Sequence, residues 1–98
     1  MNDSDRCPWG KIEYRRTFAP GIEYVSTPSH GGFLISDERL AEMPAKYRAT
    51  AFLKSHPHAF EEDSAWVGVV LTWPDYFTET QVANARDLYD TAYAHRTR

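Results

Sequence analysis

A chain of 98 residues, 42% of them hydrophobic and 26% charged, holds one domain with its own core and is too apolar to be a disordered segment. Its net charge of -3 excludes a general nucleic-acid binder, which needs a basic face to neutralise phosphates, yet is too mild for an acidic DNA mimic. No apolar run approaches the roughly 20 residues that span a bilayer, and the single cysteine, Cys7, leaves no internal disulfide to form.

The polar, acidic start Met1-Asn2-Asp3-Ser4-Asp5 is unlike a signal peptide and, with the lone cysteine, points to a reducing cytosol. Residues 1–7 read as a flexible leader and residues 8–98 as a single domain. Pro8-Trp9-Gly10 is a turn with an aromatic anchor. From Lys11 to Phe18, Ile12, Tyr14 and Phe18 alternate with polar residues, the period of a half-buried strand. Arg16 interrupts the apolar side, which marks an edge position or a bulge. Pro20-Gly21 fits a type II turn, so Ile22–Ser26 is expected to return antiparallel to the first strand. Pro28 ends it, Gly31-Gly32 is read as a sharp turn, and Phe33-Leu34-Ile35 as a short third strand.

Ser36 is a good helix N-cap, with Asp37 and Glu38 favourable in the first turn. Pro44 kinks that helix or opens a second one, and Ala45–Ser55 is helix-permissive until Pro57. His56-Pro57-His58 and Glu61-Glu62-Asp63 are assigned to a loop. The run Trp66–Trp73 is the most apolar in the chain. Its length and β-branched content favour a central strand, although periodicity leaves open a buried helix beginning near Asp63. Thr78-Glu79-Thr80-Gln81 matches a capping box. It opens a helix with the stripe Val82, Ala85, Leu88, Tyr89, Ala92 and Tyr93, closed by the positive residues His95, Arg96 and Arg98. The expected fold is α+β: a small antiparallel sheet, made of an N-terminal hairpin plus the central apolar strand, packed against helices, with the C-terminal helix on one face.

Two stretches carry chemistry. Ser29-His30-Gly31-Gly32 can offer backbone N–H groups to an anion, with His30 as acid, base or donor; the plainer reading is a tight turn. Glu61-Glu62-Asp63 is usually a solvated acidic loop. If it lies beside His30, a carboxylate can orient the imidazole for general-base work, which makes His30, Glu61, Glu62 and Asp63 the catalytic candidates. His56 and His58 with a carboxylate are weak metal candidates, because their spacing matches no established zinc pattern. Cys7, Ser29 and Ser64 form no nucleophilic triad: Cys7 has no adjacent Lys or His, and no nucleophile-elbow pattern is present. No cofactor motif occurs, so no cofactor is expected. The surplus is aromatic: three Trp, six Tyr and five Phe. Trp9, Tyr14, Tyr24 and Tyr76 are the candidate anchors for a partner protein.

The ordered set Pro8-Trp9-Gly10, Ala19-Pro20-Gly21-Ile22, Val25-Ser26-Thr27, Ser29-His30-Gly31-Gly32, Leu34, Ser36, Arg39, Glu61-Glu62-Asp63 and Trp66 resembles a domain family of unknown function found in proteins of phages, plasmids and their bacterial hosts. The resemblance covers roughly residues 8–77. It implies a setting among mobile elements and accessory genes, in which small free-standing proteins often bind host or phage machinery or inhibit defence systems. Family members often carry the domain within a longer protein. The resemblance implies no catalytic residue. The reading that follows is a small cytoplasmic protein-binding module, with a homodimer possible and neither nucleic acid nor membrane as partner. The alternative is a small-ligand binder or hydrolytic enzyme built on His30 and the acidic run.

Overall fold

The computed structural model describes residues 6–51 and 56–92. Two short strands, β1 (Arg6–Cys7) and β2 (Gly10–Lys11), pair antiparallel around the Pro8-Trp9 turn. The main sheet has four antiparallel strands in sequential order: β3 (Tyr14–Ala19), β4 (Ile22–Ser26), β5 (Gly31–Ile35) and β6 (Ala59–Glu61). The expected first strand is thus divided, its beginning belonging to the small hairpin and its end to the sheet. Arg16 does mark an edge strand, and the register shifts between Thr17 and Ala19. Gly21, at φ +81°, supplies the left-handed residue of the β3–β4 turn.

The register sorts side chains between two faces. Arg16 stands opposite Tyr24, Tyr24 opposite Phe33 and Phe33 opposite Phe60 on one face. Arg15, Val25, Gly32 and Glu61 form the parallel row on the other. The first face carries the main core, in which Ile22, Phe33, Ile35 and Phe60 pack with Met43, Ala65 and Val69. Against the second face the small hairpin lays Trp9 on Val25 and Ala59. Trp9 comes so close to Gly32 that a Cβ there would lie 2.6 Å from the indole and 2.3 Å from the Phe60 carbonyl oxygen. The glycine pair is therefore not a turn. Gly31 and Gly32 lie inside β5, where small size lets an aromatic ring and a neighbouring strand approach the backbone. The turn itself is Thr27–His30, closed by the Thr27 N–H donating to the His30 carbonyl at 2.7 Å.

Ser36 caps α1 (Asp37–Glu42), its Oγ accepting from the Arg39 N–H at 3.2 Å, and Pro44 opens the single turn of α2 (Ala45–Arg48). The remainder of the helix expected through Ser55 includes residues outside those described. The acidic run does not sit wholly in a loop, because Glu61 ends β6.

The run expected to be the central strand is a helix, α3 (Trp66–Thr72). Val69 faces the sheet, Val67 and Val70 face Ala85 of α4 (Glu79–Ala92), and Gly68 meets the Tyr47 carbonyl and Thr50. Neighbours on three sides bury four consecutive residues, so the run shows no helical period and reads like a buried strand. The place assigned to that strand in the sheet belongs to Ala59–Glu61 instead, too short to carry an alternating pattern. A 3₁₀ turn, Pro74–Tyr76, leads to α4. The capping box forms as expected: the Thr78 N–H donates to Gln81 Oε1 at 2.9 Å and the Gln81 N–H to Thr78 Oγ1 at 3.1 Å. Tyr93, His95, Arg96 and Arg98 lie outside the described residues.

Candidate functional site

The turn preceding β5 and the end of β6 meet at one rim of the sheet. Thr27 Oγ1 donates to the His30 carbonyl at 2.7 Å and accepts the His30 N–H at 3.1 Å, which holds the turn. Ser29 Oγ donates to the Trp9 carbonyl at 3.4 Å, tying the same turn to the small hairpin. Across the rim, the Glu62 N–H donates to the Gly31 carbonyl at 2.9 Å, and the Gly31 N–H donates to Glu62 Oε2 at 3.0 Å. The Gly31 amide read as a donor for an external anion is thus taken by the protein's own carboxylate. The other oxygen of Glu62 accepts the Tyr24 hydroxyl at 3.2 Å. Burial first, then the charge and hydrogen bond of Glu62, raise the Tyr24 phenol above its ordinary pKa.

The acidic run is divided by this geometry. Glu62 turns toward Gly31 and Tyr24, whereas Glu61 and Asp63 turn toward His30. His30 Nδ1 lies 3.9 Å from Glu61 Oε2, and one donor atom each from His30, Glu61 and Asp63 fall within 4.8 Å of one another. Of the catalytic candidates, then, His30, Glu61 and Asp63 come together, and Glu62 serves the backbone. His58 is elsewhere, its Nε2 on Asp37 at the start of α1, and His56 and His58 are not part of the His30 group.

A second feature lies on the opposite face. A groove of about 460 Å³ is walled by Tyr14, Arg16 and Tyr24, with Phe33, Trp66 and Phe77 deeper in. Phe18, Phe33 and Phe77 pack together at its base, Phe18 tilted against Phe77 with centroids 5.0 Å apart and Phe33 edge-on to Phe77 at 5.7 Å. The guanidinium of Arg16 sits 4.5 Å above the Phe18 ring. Glu62, not His30, reaches this groove.

The four aromatic anchors separate by exposure. Trp9 is 8% exposed, so its ring serves the core beneath the small hairpin and offers no surface. Tyr14 and Tyr76 are 54% and 42% exposed, and Tyr24 is partly covered. Tyr76 belongs to a different cluster, where Arg39 lies 5.5 Å from both its ring and that of Trp73. Cys7 packs at the edge of the Trp9 cluster. Sequence reasoning missed Arg16 as a site residue. The available signal was its break in the apolar alternation of an edge strand, beside the aromatic Phe18.

The chain belongs to a family described as a domain of unknown function (DUF7007), whose model matches residues 2–97. No curated protein and no solved structure matches the chain. No helix among the described residues is long and apolar enough to cross a membrane.

Proposed function

We propose that this domain is a protein-binding module that takes an extended, acidic segment of a partner along the outer edge of β3 and seats one of its apolar side chains in the adjoining groove. The observation that carries this reading is the adjacency of edge and groove. Among the described strands β3 pairs with β4 only, which makes it an edge strand of the sheet and the place where a further strand could add. Tyr14, Arg16 and Phe18 of the same strand form one wall of the groove. Large aromatic surface beside main-chain hydrogen bonding is the usual division of labour in such docking: backbone for affinity, pockets for selectivity.

Charge selects the segment. An added strand meets Tyr14 and Arg16 on the groove face and Arg15 and Thr17 on the other. Opposite charges directly across a strand pair contribute about 0.2–1 kcal/mol, and like charges oppose pairing. A carboxylate beside an aromatic or aliphatic residue fits, whereas two copies of β3 centred on Arg15 and Arg16 would set arginine against arginine. The resemblance to phage and plasmid proteins supports placing the module in the cytoplasm as a modulator of host or phage machinery.

Selection from a random peptide display library tests this. Recovered peptides are expected to be enriched in Asp or Glu flanking an apolar residue, and to shift backbone amide signals of residues 14–19. Arg16→Glu is expected to weaken them by about tenfold, or 1.4 kcal/mol. Peptides without acidic bias, or signals moving around Tyr76 instead, would contradict the reading. Concentration-dependent dimerisation through β3 would replace it with self-association.

A further inference from the structure

We propose that His30, Glu61 and Asp63 form a site for one divalent transition-metal ion, with an imidazole nitrogen and two carboxylate oxygens as ligands. The three donor atoms lie within 4.8 Å of one another, the His30 Nδ1–Glu61 Oε2 pair at 3.9 Å. Metal–ligand bonds of about 2.0–2.2 Å place neighbouring ligands of a tetrahedral ion about 3.3 Å apart. His30 and Asp63 are exposed, which leaves their side chains room to rotate toward that spacing.

The local fold makes this convergence specific. Successive residues leaving a strand point to opposite sides. Glu62 is therefore spent on Gly31 and Tyr24, and Glu61 and Asp63 are left on the side of His30. Both ligand-bearing segments are held by backbone bonds: Thr27 grips His30 from two directions, and Gly31 and Glu62 grip each other across the rim. The backbone that carries the ligands is thus held in place, and the exposed side chains of His30 and Asp63 give an ion access from water.

Electrostatics points the same way. Two carboxylates this close repel each other. Among the described residues the ion-pair partner of Glu61 is His30, whose imidazole in its neutral form offers no charge. A divalent cation neutralises both carboxylates and uses the imidazole as a neutral ligand. One nitrogen and two oxygens suit zinc, manganese or ferrous iron, and not a soft ion such as cuprous copper. Three protein ligands also leave at least one position for water or an external ligand, which is the pattern of an exchangeable site and not of a closed structural one. The site is separate from the β3 groove and stands or falls independently of it.

The experiment uses the chain without a histidine tag, stripped by a chelator and titrated with Zn²⁺ by calorimetry and with Co²⁺ by visible absorption. One ion per chain is expected, with a raised thermal midpoint and a shift of the His30 ring signals. His30→Ala and Asp63→Asn are each expected to weaken binding by about tenfold or more. Asp63→Asn alters an exposed side chain at constant shape, so its metal-free form keeps the wild-type unfolding midpoint. His58→Ala is expected to bind as the wild type does. Failure to saturate at millimolar Zn²⁺, undiminished binding by the His30 and Asp63 variants, or loss of binding in His58→Ala would each overturn the proposal.

Discussion

Glu62 and Gly31 hold each other by two hydrogen bonds in opposite senses: the Glu62 N–H donates to the Gly31 carbonyl at 2.9 Å, and the Gly31 N–H returns the bond to Glu62 Oε2 at 3.0 Å. This clasp joins the beginning of β5 to the end of β6, and through Tyr24 it also reaches β4. It decides which carboxylate of the acidic run is structural and which two are left to converge on His30.

Glu62→Ala removes a charged acceptor from a backbone N–H and from a phenol. Hydrogen bonds to charged groups contribute about 1.5–3 kcal/mol, and exposure of the carboxylate places this one toward the low end. A loss of about 1–2 kcal/mol in urea unfolding is expected. Glu62→Gln, which keeps an acceptor but no charge, is expected to lose less.

Gly68→Ala separates helix propensity from packing. In an open helix this change stabilises by about 1 kcal/mol. Here the added Cβ would lie 2.4 Å from Thr50 Oγ1 and 2.6 Å from the Tyr47 carbonyl oxygen, so α2 and α3 must part. Net destabilisation of about 1–3 kcal/mol is expected. A stabilised variant would mean that α3 does not pack on α2 in this way.

Tyr24 links stability to alkaline pH. Burial and Glu62 raise its phenol above the ordinary value of 10.0. As pH passes about 10, the unfolded chain releases this proton while the folded chain still holds it. The unfolded state then binds fewer protons, so stability falls with rising pH. The contribution is complete below about pH 10 and is lost as pH climbs through the folded value. Urea midpoints measured from about pH 9 to about pH 11 should show a steeper decline for the wild type than for Tyr24→Phe.

Arg39 ties the β3–β4 turn to the segment before α4. Its Nε donates to the Pro20 carbonyl at 2.9 Å, Nη1 to Glu42 Oε1 at 3.2 Å and Nη2 to the Tyr76 hydroxyl at 3.4 Å, while its plane lies near Trp73 and Tyr76. Hydrogen bonding to Tyr76 is the main cause that raises its pKa further, so the charge is present at every ordinary pH. Arg39→Ala is expected to lower the thermal midpoint and to change Trp73 fluorescence. Arg39→Lys should restore little, because an ammonium cannot serve three divergent acceptors and two ring faces at once.

The elements that were legible in the sequence are those whose signal is local. Pro20-Gly21 encodes its turn by backbone preference, Ser36 caps a helix through a neighbour three residues on, and Thr78 and Gln81 satisfy each other within one turn. Arg16 announced an edge strand because a charge on the apolar side is tolerated where water is near. Trp66–Thr72 was misread for the opposite reason. A helix enclosed by the sheet, α2 and α4 needs apolar residues all round, and its β-branched content imitates a strand. Ala59–Glu61 carried no pattern at all, since a three-residue strand is specified by the strand it pairs with.

Thr27–Ser36 shows both limits. From the sequence alone came the cap at Ser36 and the chemical identity of a site: an imidazole, two glycines and, distant along the chain, three carboxylates. Residue types and short-range backbone preferences determine these. The turn expected on Gly31-Gly32 falls instead at Thr27–His30. Which carboxylate meets which partner was decided only by the tertiary structure. The pairing register of β5 with β6 places Gly31 against Glu62 and, by the pleat, sends Glu61 and Asp63 to His30. Register is a long-range property, set by the burial of Phe33 against Phe60, and no local sequence signal contains it.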